Sequence, residues 1–224
     1  MDATKTASSD CWIYIAKEVE TKLHLAHSTG KRVQATADKL VKMVRKRGKK
    51  PTKQENATFA SDGDDQYTKT ILKNFDVETV NYGQLVKERE RGRVVGKTRT
   101  IIFGEVDDKC MDTIYVERYN LTLRHGISRL VRKCLCFSKC KEMLDNHLDV
   151  YQCYNNMIRV NSALTIKTKK GKKNIERTPC LAEGITNHIW TWKELLMLKA
   201  LLTINWGTIE FLAIDCGYEI FQNG

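Results

Sequence analysis

The stretch "NATFASDGDDQYTKTILKNF", residues 56–75, contains the change of pattern that decides the fold. Its first half predicts a short buried strand that ends at Asp62, because apolar residues are followed by the turn-forming letters "SDGDD". Its second half, from residue 65 onward, predicts a helix. Gly63 in the turn allows a backbone or a substrate to approach closely. The segment therefore predicts a strand that leads directly into a helix.

The flanking segments extend this pattern in both directions. Residues 11–27 predict two short strands around a polar turn, and residues 36–50 predict a helix that Gly48 closes. Two strand-like segments, "TVNYGQLVKE" and "RTIIFGEV", predict a β-hairpin extension near residues 80–106. Residues 112–154 have helical periodicity, with a break near residues 137–138. This order of elements predicts an α/β fold with a mixed sheet.

Composition and charge indicate a polyanionic partner. The chain of 224 residues has 38 Lys and Arg against 27 Asp and Glu, a formal net charge of +11. Such an excess favours nucleic acid, with an anionic membrane surface as the weaker option. The start of the chain has no apolar signal segment, and the longest apolar run, residues 195–204, contains Lys199 and is too short to span a bilayer. We therefore expect a cytoplasmic protein associated with the nucleoid.

The eight cysteines are scattered along the chain. The densest group is Cys134, Cys136 and Cys140, with Cys153 further on, and no C-x-x-C pair is present. This spacing favours free cysteines packed in a helical core over a metal site. A cysteine-metal module remains the minor alternative.

The basic segment "DTIYVERYNLTLRHGISRLVRK", residues 112–133, contains one lone glutamate, Glu117, near its start. On a helix, Asn120 and Arg124 fall on the same face as Glu117. Further bases, Arg129, Arg132 and Lys133, continue the positive charge toward the end of the segment. A carboxylate on such a face can bind a divalent cation while the neighbouring Asn and Arg contact phosphate. The alternative is a solvated surface helix.

Asp62 and Glu117 together supply half of the arrangement that two-metal phosphoryl transfer requires. Ligands gather at the carboxyl ends of strands in open α/β sheets, where Asp62 is predicted. Carboxylates must bridge the two cations that activate the attacking oxygen and stabilise the leaving one. Asp64 and Asp65 lie further into the turn, which favours helix capping for them.

Three blocks of the chain resemble the DDE transposases of insertion-sequence-one type. "TIYVERYNLTLRHGISRLVRK" with "CFSKCKEML" resembles their catalytic helix, "ASDGDDQY" their second-aspartate strand, and "RTPCLAEGITNHIWTWKELL" their C-terminal signature. The resemblance implies an RNase H-like mixed sheet flanked by helices, with three acids that bind Mg²⁺ or Mn²⁺. Asp62 matches the second aspartate, Glu117 the glutamate, and Asn120 and Arg124 the polar positions that follow it.

The resemblance also implies the reaction and its partners. It implies hydrolytic nicking at transposon ends, followed by attack of the freed 3′-hydroxyl on target DNA. Synapsis of two ends implies a homo-oligomer. The first aspartate has two candidate origins. Asp10 fills the role, or the first strand lies upstream of Met1 and the chain is a truncated copy whose sheet lacks that strand.

These inferences divide the chain into consecutive parts. We expect a disordered start (1–9), a catalytic core (10–165), a basic loop (166–176), the C-terminal signature (177–196) and a divergent tail (197–224). If the acid set is incomplete, the alternative function is that of a non-catalytic DNA-binding remnant of a transposase.

Overall fold

The computed structural model describes residues 11–91, 93–107, 111, 113–131, 135–136, 138–169, 173–197 and, by their backbone only, 211–220. Short strands and helices alternate along most of this length. The strands are β1 (Cys11–Glu18), β2 (His24–Gly30), β3 (Ala57–Asp62), β4 (Val80–Glu90), β5 (Arg93–Phe103) and β6 (Phe211–Ile220). The helices are α1 (Gln34–Arg47), α2 (Asp65–Asn74), α3 (Ile114–Gly126), α4 (Lys141–Cys153), α5 (Pro179–Ala182) and α6 (Trp192–Met197).

The strands form one mixed sheet in the order β2-β1-β6-β3-β4-β5. The pairs β1–β2, β1–β6 and β4–β5 are antiparallel, whereas β3 runs parallel to both β4 and β6. The predicted mixed α/β fold is therefore confirmed, as is the hairpin formed by β4 and β5.

Alternate residues of β1 belong to two separate apolar clusters. Tyr14 and Ala16 pack with α1 and α2 on one face of the sheet. Ile13 and Ile15 pack with α3 and α4 on the other. All four side chains are fully buried, as expected for a strand that helices cover on both faces. The molecule thus has three layers, with the sheet in the middle.

The local predictions hold along the first half of the chain. The strands around the turn at residues 18–21, helix α1 with Gly48 after its last residue, and the strand that ends at Asp62 all lie where the pattern places them. The helical region divides into α3 and α4 around the predicted break. The C-terminal signature packs on the α1 face through Cys180, Ile185 and Trp190.

The divergent tail differs from expectation, because residues 211–220 form a strand in the middle of the sheet. We expected a sheet that lacks a strand beside β1. Instead, β6 lies between β1 and β3 and hydrogen-bonds to both. The predicted disordered start at residues 1–9 lies outside the described residues.

The cysteine prediction is partly wrong. The described cysteines are free, but Cys136 and Cys140 are exposed rather than packed in a helical core. The physical reason is that α4 begins only at Lys141, so neither residue lies on a buried helix face. Cys153, in the last turn of α4, is half-buried. The predicted basic loop is closed by a pair of backbone hydrogen bonds between Ile166 and Ile175.

No helix in the described part of the chain is both long enough and apolar enough to cross a membrane.

Candidate functional site

The carboxyl end of β3 positions Asp62. The preceding residue, Ser61, is buried and its hydroxyl lies 2.7 Å from the Tyr82 hydroxyl, in the layer of α1 and α2. Because successive side chains of a strand alternate, Asp62 lies on the opposite face, which α3 and α4 cover. Asp62 is half-buried, and its Oδ1 accepts a long hydrogen bond of 3.4 Å from the Asp64 amide.

Asp64 has a structural role in the same turn. Its Oδ1 accepts from the Gln66 amide at 3.0 Å, which caps the first turn of α2. Its other oxygen accepts from Arg32 Nε and Nη2 at 3.1 and 3.0 Å. Gly63 permits the close approach of Val86 to this turn, since a Cβ at residue 63 would lie 2.7 Å from Val86 Cγ2. The capping role predicted for Asp64 is confirmed.

Glu117 projects from the first turn of α3. Its Oε1 accepts a hydrogen bond of 2.7 Å from the Thr113 hydroxyl and forms an ion pair with the Lys87 ammonium group. The Glu117 side chain is 43% exposed, whereas Lys87 is only 17% exposed. The helix dipole also favours a carboxylate at this end of α3. Glu117 is therefore a partly accessible acid that is held by a cation.

The contact with Lys87 brings Glu117 to the strand beside Asp62. In the parallel ladder Asp62 pairs with Leu85 of β4, and Lys87 lies two residues further along the same strand. Residues two apart share a face and are separated by about 7 Å along the strand. The strand-end aspartate and the helix-borne glutamate thus border the same end of the sheet.

A third acid, Asp215, occupies the neighbouring register on β6. Ile214 pairs with Ser61 in the parallel ladder, so position 215 is level with Asp62 on the adjacent strand. On its other side Asp215 pairs with Ile15, a residue of the cluster beneath α3. Cross-strand partners share a face of a sheet, so the register places Asp215 on the α3 face. Helix α3 packs against β6.

Sequence reasoning missed Asp215, although a signal was present. The letters "FLAID", residues 211–215, repeat the pattern of "TFASD", residues 58–62, in which a short apolar strand ends on an aspartate. The strand was overlooked because it follows the C-terminal signature, whereas its partners in the sheet come from the first third of the chain.

The remaining predicted site residues are placed as follows. Asn120 lies on the inner side of α3 and is 6% exposed, and Arg124 is half-buried in its last turn. Arg129 donates to the Ser138 hydroxyl at 3.4 Å. Arg132, Lys133 and Asp10 lie outside the described residues. The DNA-contact and catalytic roles of these residues stay predictions.

The donors at this end of the sheet suit a hard divalent cation. Asp62 and Glu117 offer carboxylate oxygens, the ligands that Mg²⁺ and Mn²⁺ prefer. Within the side chains that the structure describes, no group of three His, Cys, Asp or Glu residues could hold a metal ion. Asp62 and Glu117 border the same end of the sheet, and Asp215, described by its backbone alone, lies level with Asp62 on β6.

Comparison with known proteins gives a family match over one segment of the chain. The matching family model is described as IS1 transposase and covers residues 105–158, which include α3, Glu117 and α4. The recognition made from the sequence is therefore confirmed over this segment. No curated protein and no solved structure matches the chain.

Proposed function

We propose that this protein is a DDE transposase with an RNase H-like fold. It nicks DNA at transposon ends and joins the freed 3′-hydroxyl to target DNA. The transposase segment at residues 105–158 supports the reaction class. The fold is supported by three central parallel strands, β6, β3 and β4, which are flanked by antiparallel strands and covered by helices.

The acid set of this proposal is Asp62, Glu117 and Asp215, with Asp10 as the alternative third member. The observation that carries it is the register of β6, which sets position 215 level with Asp62 beneath α3. These three positions lie on two adjacent strands and one helix that meet at one end of the sheet.

Bound Mg²⁺ or Mn²⁺ would activate the attacking oxygen and stabilise the leaving oxygen of an in-line displacement. The residues of the chain prepare this site before the metal arrives. Lys87 neutralises Glu117, and the Thr113 hydroxyl fixes the orientation of its carboxylate. The Lys87 ammonium group occupies Oε1 of Glu117, so its charge competes with a cation at this carboxylate.

DNA binding rests on the positive charge of the chain. The net charge of +11 and the bases Arg124, Arg129, Arg132 and Lys133 supply phosphate contacts along and beyond α3. Because two transposon ends must be held together, the active form is a homo-oligomer on DNA, associated with the nucleoid.

A nicking assay on supercoiled plasmid with Mn²⁺ tests the proposal. Asp62→Asn, Glu117→Gln and Asp215→Asn should each reduce nicking by more than the roughly 10–100-fold that the loss of an outer-shell partner causes. Asp65→Asn is the matched control, since Asp65 lies in the same turn as Asp62 and begins α2. It should nick like the unchanged protein.

Calorimetric titration of Mn²⁺ in the absence of DNA gives a second readout that does not depend on activity. The three acid variants should each lose metal affinity, and Asp65→Asn should keep it. If Asp215→Asn retains both nicking and metal binding while Asp10→Asn loses them, Asp10 is the third acid. If Glu117→Gln retains both nicking and metal binding, the assignment of Glu117 to the catalytic site is wrong.

The ion pair between Lys87 and Glu117 favours a second candidate function, that of a non-catalytic DNA-binding remnant. In such a protein the ammonium group permanently occupies the place of the cation. This function predicts DNA binding that weakens steeply with salt, no nicking by the unchanged protein, and no gain of Mn²⁺ affinity in Lys87→Met. The transposase proposal predicts tighter Mn²⁺ binding in Lys87→Met.

A further inference from the structure

A second polar feature of the chain is a cavity that the acid set does not use. It has a volume of about 320 Å³ and lies between the end of β1, the β1–β2 turn, α3 and the segment after α4. Four basic residues line it: Lys17, Lys22, Arg118 and Arg159. The cavity therefore concentrates positive charge in a space large enough for a small anion and its substituents.

Lys17 is the innermost of the four cations. The residue is 6% exposed, and its ammonium group lies 3.8 Å from the centre of the Tyr119 ring. Within the side chains that the structure describes, no carboxylate forms an ion pair with Lys17. Burial, followed by repulsion from Lys22 and Arg159, lowers the pKa of Lys17 to about 7. Buried charges are normally paired, so a lysine in a cavity wall without a described carboxylate partner favours the binding of an anion there.

The carboxylate nearest to Lys17 along the chain is engaged elsewhere. Glu18 is 3% exposed, and its oxygens accept hydrogen bonds from the amides of Glu20 and Thr21 and from the Thr21 hydroxyl. Glu18 thus orders the β1–β2 turn, although its charge still favours protonation of Lys17. The negative charge that Lys17 lacks must come from outside this turn.

The same turn holds Lys22 at the cavity in an unusual conformation. Its φ is 62°, in the left-handed region that costs a non-glycine residue about 1 kcal/mol or more. Its ammonium group lies 3.8 Å from the centre of the Tyr115 ring of α3 and donates to the Val19 carbonyl. The strained turn therefore positions a second cation against α3.

Arg118 and Arg159 complete the wall. Arg118 is exposed on α3, directly after Glu117, and Arg159 donates to the Tyr151 hydroxyl at 3.1 Å from the segment after α4. Guanidinium groups bind phosphate oxygens with a favourable planar geometry. The lining thus combines two ammonium groups with two guanidinium groups.

The cavity shares two elements with the acid set. Arg118 and Glu117 are consecutive on α3, and Lys17 pairs with Ala213 of β6, two residues from Asp215. We infer that this cavity is a phosphate-binding site that receives a backbone phosphodiester of the DNA strand held at the acid set. The anion site follows from the cavity itself, whereas its assignment to DNA rests on the proposed function.

Binding measurements with Lys17→Met and with the double variant Lys17→Met/Arg159→Gln test the inference. Lys42→Met is the matched control, because Lys42 is an exposed lysine of α1 on the other face of the sheet. The first probe is a fluorescein-labelled DNA duplex followed by anisotropy over a range of salt concentrations. The second probe is inorganic phosphate, followed by its effect on the thermal unfolding temperature.

The double variant should bind DNA at least about tenfold more weakly, as the loss of a charge-assisted hydrogen bond predicts. The slope of log K against log salt should fall by about 1 for each phosphate that the variant no longer neutralises. Inorganic phosphate should raise the unfolding temperature of the unchanged protein and of Lys42→Met. It should raise the unfolding temperature of the double variant by a smaller amount. Mn²⁺ binding should stay unchanged, because neither substitution removes a carboxylate.

The outcomes separate the two proposals. If the unchanged protein does not bind DNA but phosphate protects it through Lys17 and Arg159, the anion site stands and the transposase function fails. If the double variant matches Lys42→Met with both probes, the cavity is not a phosphate site, whatever the nicking assay gives. If phosphate protects all variants equally while only DNA affinity falls, the site requires the polymer rather than a free anion.

Discussion

Replacement of Lys17 by Met should stabilise the folded protein at neutral pH. The pKa of Lys17 falls from 10.5 to about 7 in the folded state, chiefly because burial penalises the charged form. One pKa unit corresponds to about 1.4 kcal/mol, so charged Lys17 costs the folded state about 5 kcal/mol. The substitution also removes the favourable interaction of the ammonium group with the Tyr119 ring, which is worth about 1 kcal/mol. Lys17→Met should therefore raise the free energy of unfolding by about 4 kcal/mol.

The sign of the pH dependence follows from the same values. Between pH 7 and pH 10.5 the unfolded chain holds the Lys17 proton and the folded chain releases it. Stability of the unchanged protein therefore rises with pH across this window, and the whole cost is present below pH 7. The charges that set the folded pKa are Lys22 and Arg159, which lower it, and Glu18, which raises it.

Urea unfolding at several values between pH 6 and pH 10 measures the effect. The advantage of Lys17→Met over the unchanged protein should be greatest at the lowest pH and should shrink toward zero near pH 10. Other titrating groups act on both proteins, so they cancel in the difference. Lys42→Met, an exposed lysine, should show no such trend. A Lys17→Met protein that is less stable at pH 7, or whose advantage is independent of pH, would refute the reasoning.

Three further predictions concern the core of the molecule. Asp64→Ala should lower the free energy of unfolding by about 1 kcal/mol or more, because the Gln66 amide loses its cap; chemical denaturation measures this, and an unchanged midpoint would contradict it. Gly126→Ala should lower the free energy of unfolding by about 1–3 kcal/mol, because a Cβ there would lie 2.5 Å from a ring carbon of Tyr151. If the variant melts at the same temperature as the unchanged protein, the Tyr151 ring moves aside freely and the prediction is wrong. His24 is fully buried, and burial first, then the nearby charges, lowers its pKa well below 6.5. The unfolded chain therefore takes up the proton first, so the free energy of unfolding should fall by up to about 1.4 kcal/mol per pH unit as the pH drops below 6.5. Urea titrations from pH 7 to pH 5 measure this dependence, and the free energy of unfolding should change less steeply with pH in a His24→Gln variant.

Strand β6 brings the end of the chain next to its beginning. Segments at opposite ends of the sequence lie side by side in the sheet, because β6 pairs with β1 and β3. The acid set that we propose therefore draws one member from the last strand of the chain. Removal of residues 211–224 would eliminate both a central strand and Asp215, whereas Asp215→Asn tests the acid alone.

The ion pair between Lys87 and Glu117 links the β-hairpin to α3. Lys87 lies on β4, beyond the point where β3 ends, and it holds the first turn of α3 through the Glu117 carboxylate. Under the proposed function, a divalent cation that displaced Lys87 from Glu117 would break this contact between the hairpin and α3.

Local sequence patterns are sufficient for the elements in the first half of the chain and for the resemblance of one segment to a transposase. Alternation and apolar periodicity place β1, β2, α1, β3 and α2, because these signals arise from neighbours along the chain that share one face. The motif around Glu117 identifies the transposase segment. The capping role of Asp64 also follows from its position before a helix.

The contacts between distant segments depend on the three-dimensional fold. The pairing of β6 with β1 and β3 depends on hydrogen bonds between segments about as far apart as the chain allows, and no local pattern encodes such a register. The burial of Lys17 is equally non-local, since α3, the segment after α4 and a strained turn enclose it. Sequence patterns report which face a residue occupies on its own element, whereas a site forms where the faces of several elements converge.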